Sequence, residues 1–345
     1  MPKSGTVALV GRPNAGKSTL LNRLLGEKVA IVSDKPQTTR HRLVGILSAP
    51  EGQIAFQDTP GVHRPLHRLN RQMVRQATEA LADSDVVCLI VDASEPHGHG
   101  DQFLLDLVRT ASQPKVVVLN KVDLVRKNKL LPRIATYAAG GAFDALVPLS
   151  ALDGDGCERL LAELWRLLPE GEPLHDPELL TPHTERFLVG ERIREKVLEA
   201  TRDELPFTTA VLVESWEEGG PGRALRIAAA ILVERDSHKA ILVGRRGETI
   251  KKIGTAARLD VEEFLGRKVF LDLRVRHQPD WREDDRLLAE LDRYLLAPPD
   301  AEASSSPHAD EDPDQDQDQD QDQDQDQDQD QDQDQDQDQD QDSPV

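Results

Sequence analysis

The chain has few cysteines and no long apolar run. Only two of its 345 residues are cysteine, too few for a disulfide framework, which favours a reducing compartment. No apolar run approaches the ~20 residues needed to span a bilayer, and Met1 to Gly5 leads into a strand pattern without a signal peptide. The histidines and acidic residues lack the spacing of a zinc site. We therefore expect a cytosolic protein.

Basic residues are absent from the last part of the chain. From Asp300 onward there are twenty acidic residues, fifteen of them between Asp314 and Asp342 in an Asp-Gln repeat, and no lysine or arginine. The net charge is −21, and the chain before Asp300 carries only −1 of it. The repeat has no apolar side chain to bury, so we predict a disordered acidic tail over 298–345. The main interpretation is that the tail adds solubility or has no role, and the alternative is that it competes with RNA for the protein's own basic groups.

The most informative segment lies near the N-terminus. Gly11–Ser18 follows the apolar run Val7–Val10 and precedes a helical pattern from Thr19, the strand, loop and helix context of a phosphate-binding P-loop. Glycines let backbone N–H groups approach phosphates, Lys17 adds positive charge, and Ser18 is left to hold Mg²⁺. The predicted nucleotide contacts are Gly11, Arg12, Pro13, Asn14, Ala15, Gly16, Lys17, Ser18 and Thr19.

A second motif indicates which base is bound. Asn120-Lys121-Val122-Asp123 directly follows an apolar run typical of a buried parallel strand. A carboxylate at Asp123 can accept from the ring N–H and the exocyclic amino group of guanine, and adenine offers neither donor on that edge. Asn120 and Asp123 are therefore predicted to select guanine. Ser150 and Ala151, which follow another apolar run, are expected to lie against the base edge beside Lys121.

Asp58-Thr59-Pro60-Gly61 follows an alternating strand pattern and predicts a phosphate-sensing loop. Asp58 would reach Mg²⁺ through water, and the Gly61 amide would sense the γ-phosphate. The polar segment 33–42 is long enough to fold over a nucleotide, and one threonine in it should complete the metal shell. We choose Thr39, with Thr38 as the alternative. The predicted catalytic residues are Lys17, Thr39 and Gly61.

Val62 occupies the position where many GTPases carry a glutamine that orients water. Valine has no acid–base function, so hydrolysis must be slow or rely on another group. The candidates are a monovalent cation such as K⁺ near Asn14, the side chain of His63, and groups supplied by a partner.

The second half of the chain predicts a small α+β unit. Strand patterns over 208–216 and 225–233 are followed by an apolar helix, the turn Gly244-Arg245-Arg246-Gly247, a helix to Leu265 and a strand over 268–275. This is the arrangement of a KH domain, whose GXXG loop clamps single-stranded nucleic acid. The predicted RNA contacts are Gly244, Arg245, Arg246, Gly247, Lys251 and Lys252.

These patterns divide the chain into four parts. We predict an α/β P-loop GTPase domain over 1–170, with a mostly parallel sheet and helices on both faces, and a linker over 171–185. An α+β KH domain of type II over 186–297 and the acidic tail over 298–345 follow.

Residues 6–296 resemble the Era family of bacterial ribosome-assembly GTPases. The resemblance rests on the motifs above together with Gln37–Arg42, Leu168–Pro173, Arg192–Lys196 and Glu204–Pro206. It implies a monomeric switch that uses GTP, GDP and Mg²⁺, binds the 3′ end of 16S rRNA and assists maturation of the 30S subunit, with peripheral contact at the cytoplasmic face of the membrane. It also implies that Val62 is normal for the group, whereas the Asp-Gln tail departs from its pattern.

Two other functions stay open from the sequence. One is an RNA-binding assembly factor whose nucleotide domain holds GTP without turnover, which Val62 favours. The other is a GTPase that acts on tRNA or membranes, which the KH loop and the lack of a membrane segment disfavour.

Overall fold

The computed structural model describes residues 1–61, 68–96, 98–139, 143–202, 205–220 and 223–296. Val62, His63, Glu204 and the predicted tail lie outside these residues. Among the residues described, no helix combines the length and apolarity required to cross a bilayer.

The first part of the chain forms a six-stranded sheet in the order β2-β3-β1-β4-β5-β6, in which only β2 is antiparallel to its neighbour. Alternate residues of β1 enter two cores, with Val7 and Leu9 in one and Ala8 and Val10 in the other. The central strands β4 and β5 are buried on both faces, as their continuous apolar runs predict. The elements are β1 (Lys3–Gly11), α1 (Lys17–Leu25), β2 (Leu43–Ala49), β3 (Gly52–Asp58), α2 (Arg68–Ala82), β4 (Val86–Asp92), α3 (His99–Arg109), β5 (Lys115–Asn120), α4 (Lys127–Ala138), β6 (Ala145–Pro148) and α5 (Cys157–Leu167).

The second part forms a three-stranded sheet, with β7 antiparallel and β9 parallel to the central β8. The predicted α+β arrangement is confirmed, with strand ends that differ from the prediction by two residues or fewer. Its elements are α6 (Glu185–Ala200), α7 (Leu205–Thr208), β7 (Thr209–Glu217), β8 (Leu225–Val233), α8 (Asp236–Val243), α9 (Glu248–Leu265), β9 (Val269–His277) and α10 (Asp285–Asp292).

An apolar cluster joins the two parts. Leu69 and Met73 of α2 pack with Ala230 and Leu232 of β8 and with Trp281, which is 1% exposed. Because α2 is the first described helix after the Asp58–Gly61 loop, this cluster connects the side of the first sheet that carries this loop to the second sheet.

The linker lies along the first sheet. The Gly171 N–H donates to the Pro2 carbonyl, and the backbone of His175 exchanges two hydrogen bonds with the side chain of Gln53. Further along, the Ile46 N–H of β2 donates to the Leu180 carbonyl. The bond to Leu180 lies on the outer edge of β2 and satisfies a backbone group that the edge strand would otherwise leave unpaired.

His183 fastens the end of the linker to both parts of the chain. Its Nε2 accepts from the Val44 N–H at 2.8 Å, so the ring proton is on Nδ1, which donates to the Leu295 carbonyl at 2.7 Å. Burial lowers the pKa of His183 from 6.5 to about 4, against the opposing effect of the bond to Leu295. The folded protein therefore holds this ring neutral.

We expect His183 to make folding sensitive to acid. Below pH 6.5 the unfolded chain takes up a proton that the folded chain resists until about pH 4, so this group's contribution is lost as the pH falls through that window. The loss between pH 7 and 5 is about 2 kcal/mol. The free energy of unfolding, measured by urea titration at both pH values, should fall less for His183→Gln than for the wild type. Equal pH dependence in the two proteins would contradict this account.

Candidate nucleotide and nucleic-acid sites

The P-loop is shaped by close backbone approaches. Gly16 has φ 94°, and a Cβ atom there would lie 2.2 Å from Asn120 Nδ2. A Cβ on Gly61 would lie 2.7 Å from the Pro13 nitrogen, so the Asp58–Gly61 loop rests directly on the P-loop. Only glycine fits either position without displacing backbone or a buried amide.

Lys17 is buried with carbonyl partners. Its Nζ donates to the Gly11 carbonyl at 3.2 Å and the Arg12 carbonyl at 3.1 Å. Burial lowers the pKa of Lys17, whereas the charge of Asp58 acts in the opposite direction. Within the described residues the hydrogen bonds of this buried ammonium go to neutral oxygens, which favours an anionic ligand such as a phosphate.

Three side-chain oxygens converge beside Lys17. Ser18 Oγ donates to Asp58 Oδ2 at 2.6 Å, Thr39 Oγ1 donates to the same atom at 3.2 Å, and the two hydroxyls lie 2.8 Å apart. Asp58 Oδ1 is buried without a hydrogen-bond partner in the described part of the chain. Burial raises the pKa of Asp58, opposed by Lys17 and the two hydroxyls. This hard-oxygen set, with one carboxylate oxygen unsatisfied, fits Mg²⁺.

The two threonine alternatives have different side-chain partners. Thr39 lies in the oxygen cluster, whereas Thr38 Oγ1 donates to the Lys35 carbonyl at 2.6 Å. A cavity of about 280 Å³ opens between the P-loop and segment 33–42. Among the predicted site residues, its lining includes Pro13, Asn14, Gly16, Lys17, Ser18, Thr19, Thr39, Gly61 and Lys121.

Asn120 has a positioning role that the sequence did not predict. Its Nδ2 donates to the Ala15 carbonyl at 2.8 Å, and its Oδ1 accepts from the Ala151 N–H at 2.9 Å. The side chain thus ties the P-loop to the loop of Ser150 and Ala151. Asp123 lies nearby, exposed in a short 3₁₀ turn.

Several other predicted nucleotide contacts form bonds with groups of the protein. Arg12 pairs with Glu95 at 3.3 Å and Asp101 at 3.2 Å, and Lys121 Nζ lies 2.6 Å from Asp92 Oδ2. Thr59 Oγ1 donates to the Leu9 carbonyl, and Pro60 is buried beside it. Ser150 Oγ accepts from the Asp153 N–H.

Asn14 connects the P-loop to segment 33–42. The residue adopts φ 62°, and its Nδ2 donates to the Asp34 carbonyl at 2.7 Å. The Asn14 Oδ1 and the Asp34 carbonyl oxygen are ligands of the type that alkali cations bind, whereas the contact between the two residues is made by the amide nitrogen of Asn14.

The GXXG loop joins α8 and α9 in left-handed backbone. Gly244, Arg246 and Gly247 have φ values of 72°, 54° and 78°. A Cβ on Gly244 would lie 2.2 Å from Thr249 Oγ1, while Arg245 and Arg246 are exposed. The loop therefore presents two guanidinium groups at the N-terminal end of α9, where anions are favoured.

An open groove of about 650 Å³ continues along α9 from this loop. It contains the predicted residues Lys251 and Lys252, and Leu259 is 54% exposed. The sequence prediction missed the other lining residues, although their spacing on one helix face was the available signal. They are Glu248, Thr255, Ala256 and Leu259.

The contacts of the charged motif Arg192–Lys196 in α6 become visible only in the structure. Arg194 and Glu195 are 2% and 3% exposed, and both contact the segment around 33–42. Arg194 donates to the Thr38 carbonyl, and Glu195 Oε1 accepts from the Val32 N–H at 2.9 Å. The available signal was a helix with charged residues but no solvent-facing stripe.

Comparisons with known proteins cover both parts. A family described as 50S ribosome-binding GTPase matches residues 6–121, and one described as KH domain matches 204–282. GTPase Era of Geobacter metallireducens is 48% identical over 289 residues, covering 84% of this chain and 97% of that protein. GTPase Era of Syntrophus aciditrophicus is 45% identical over 290 residues, covering 84% and 95%.

Two solved structures are similar over most of the chain. One is a variant of Aquifex aeolicus Era bound to GDP·AlF₄⁻, with 38% identity, a TM-score of 0.81 and coverage of 85% of this chain and all of that chain. The other is Era in complex with MgGDPNP and nucleotides 1506–1542 of 16S ribosomal RNA, with 38% identity, a TM-score of 0.82 and coverage of 86% and 100%.

Proposed function

The chain belongs to the Era family of GTPases, and on that premise we propose that its KH domain binds the 3′ region of 16S rRNA under control of the bound nucleotide. Through this binding the protein assists assembly of the 30S subunit. The observation that supports the proposal best is one connected set of contacts. Segment 33–42 lies against the P-loop on one side and against α6 of the KH domain on the other.

We propose specific roles for the nucleotide-site residues. Lys17 balances charge on the β- and γ-phosphates, and the Gly61 amide contacts the γ-phosphate. Ser18 and Thr39 hold Mg²⁺ directly, and Asp58 holds it through water. The bound Mg²⁺ neutralises charge that develops on the phosphate oxygens. Asp123 reads guanine, while Asn120 keeps the base loop and the P-loop in register.

We expect Thr39→Ala to slow GTP hydrolysis by about a hundredfold to a thousandfold, as loss of one charge-stabilising contact does. Thr38→Ala should stay near the wild type because its hydroxyl bonds locally to Lys35. Turnover of each variant is measured across a Mg²⁺ titration. Equal effects of the two substitutions would count against Thr39 as the metal ligand.

We also propose that K⁺ binds near Asn14. It would supply positive charge because the chain has Val62 at the position where many GTPases carry a glutamine. Asn14 supports this assignment because it lines the cavity and its Oδ1 is an oxygen of the type that K⁺ binds, while its Nδ2 donates to the Asp34 carbonyl. Turnover of the wild type in KCl should exceed turnover in NaCl of the same ionic strength. Equal rates in the two salts would remove K⁺ from the proposal.

The RNA interface is proposed to include the GXXG loop and the groove along α9. Arg245 and Arg246 contact backbone phosphates, with Lys251 and Lys252 further along the groove, and the exposed Leu259 offers an apolar surface to bases. A local patch of this kind suits a domain whose charge is otherwise near neutral.

The experiment is a titration of the purified full chain with a short single-stranded RNA from the 3′ end of 16S rRNA. We expect tighter binding with a non-hydrolysable GTP analogue than with GDP. Equal affinity in the two states would remove nucleotide control, and no binding in either state would remove the RNA target.

The family resemblance extends the proposal to a monomer in the cytoplasm that contacts the cytoplasmic face of the membrane peripherally. Co-sedimentation with vesicles that contain anionic lipid tests the membrane contact. Recovery of the protein in the supernatant at low salt would contradict it.

A further inference from the structure

The Arg40 side chain extends from the first part of the chain into the KH domain. The residue is 4% exposed. Its Nη1 donates to the Thr209 carbonyl at 2.6 Å, and its Nη2 donates to the Pro206 carbonyl at 2.9 Å. The guanidinium carbon lies 5.7 Å from the centre of the Trp281 ring.

The carbonyls that Arg40 contacts belong to one structural joint, where α7 ends and β7 begins. Carbonyls at the end of a helix have no partner within the helix, so another group must satisfy them. Here a side chain from the other domain does so. Trp281 Nε1 donates to the Thr208 carbonyl at 2.9 Å. The same joint therefore accepts hydrogen bonds from both Arg40 and Trp281.

Thr39 and Arg40 are adjacent, yet their side chains contact different sites. Thr39 bonds to Asp58 in the metal site, whereas Arg40 bonds to the KH domain. Movement of this short backbone segment away from the nucleotide would therefore displace both side chains at once. Arg194 of α6 adds a bond to the carbonyl of Thr38, the residue that precedes Thr39.

The burial of Arg40 carries a desolvation cost. Within the described part of the chain its hydrogen bonds go to carbonyl oxygens rather than to a carboxylate. Burial and the nearby Arg194 lower the pKa of Arg40 to about 9, against the opposing charge of Glu191, so the side chain is still charged at neutral pH. A charge buried in this way regains hydration when it is exposed, which offsets part of the free energy of its contacts with the KH domain.

We propose that Arg40 is the positioning residue that couples the nucleotide site to the KH domain. Arg40 occupies the α7–β7 joint while Thr39 occupies the metal site, and it leaves the joint when segment 33–42 leaves the nucleotide. This inference rests on the proposed nucleotide control of RNA binding and identifies the residue that transmits it. Because coupling is reciprocal, RNA must raise the preference for GTP over GDP by the same factor.

The test compares Arg40→Gln, Arg40→Lys and the control Arg42→Gln in the full chain. Arg42 lies in the same segment but pairs with Asp83, 3.6 Å away within the first part of the chain. RNA affinity is measured with the GTP analogue and with GDP, beside GDP affinity and thermal unfolding. For the wild type we expect a ratio of RNA affinities of about fivefold or more.

The ratio should fall to nearly one in Arg40→Gln, be partly retained in Arg40→Lys and stay unchanged in Arg42→Gln, while GDP affinity is preserved in all three. A wild-type ratio in Arg40→Gln overturns the inference, as does an equal loss of RNA affinity in both nucleotide states. A ratio of one in the wild type overturns nucleotide control itself, which distinguishes that failure from failure of the Arg40 assignment.

Discussion

Replacement of Asp123 by asparagine is expected to lower GTP affinity on the order of a thousandfold and to create a preference for xanthosine triphosphate. The carboxylate accepts two hydrogen bonds from guanine, and an amide presents one acceptor and one donor instead. Xanthine keeps the ring N–H and carries a carbonyl in place of the amino group. It therefore matches the amide and repels the original carboxylate.

The measurement is a competition titration with both nucleotides on the wild type, Asp123→Asn and Asp153→Asn. Asp153 is an exposed acid on the neighbouring Ser150–Gly156 loop, so its substitution removes the same charge without touching the base-reading position. GTP should retain its advantage in this control. Unchanged GTP preference in Asp123→Asn would show that another group reads the base.

Replacement of Gly247 by aspartate should weaken RNA binding on the order of a hundredfold or more. The new carboxylate would sit in the GXXG loop, where repulsion from a phosphate ~4 Å away is several kcal/mol at an intermediate dielectric constant. A side chain at φ 78° adds backbone strain. Nucleotide binding should be unaffected, and RNA affinity is measured in the GTP-analogue state.

Gly266→Asp is the matched control for this substitution. Gly266 lies at the other end of α9, has φ 64° and has open space where a Cβ atom would lie, so it receives the same charge and similar strain. The helix spans about 27 Å, which separates the control from the loop. Equal losses in both variants would mean that net charge or helix stability, rather than the GXXG loop, determines RNA affinity.

The sequence predicted the features that depend on short segments. The P-loop, the Asp58–Gly61 loop and the GXXG loop are each continuous stretches at the ends of strands or helices, so residue type and spacing were sufficient. The order of strands and helices in both domains followed from hydrophobic periodicity in the same way. The roles proposed for individual site residues are still predictions that the titrations above address.

The features that the sequence did not predict join distant parts of the chain. Arg40 contacts Thr209 across 169 positions, and His183 contacts Val44 across 139 positions. Asn120 was assigned to the base, yet its amide bonds to two backbone groups of other loops. No local pattern specifies such pairings, because they depend on how complete elements pack. Charged residues in α6 were visible in the sequence, but their partners were not.

The linker along β2 determines when the edge of this strand becomes covered during synthesis. The first sheet is complete in sequence at β6, but the outer edge of β2 gains its bond to Leu180 only when residue 180 has left the ribosome. Synthesis proceeds at about 5–20 residues per second. During those few seconds the nascent chain carries an uncovered strand edge, the surface through which chains pair wrongly, so substitutions that loosen the linker should reduce the yield of newly made protein more than they reduce the activity of each folded molecule.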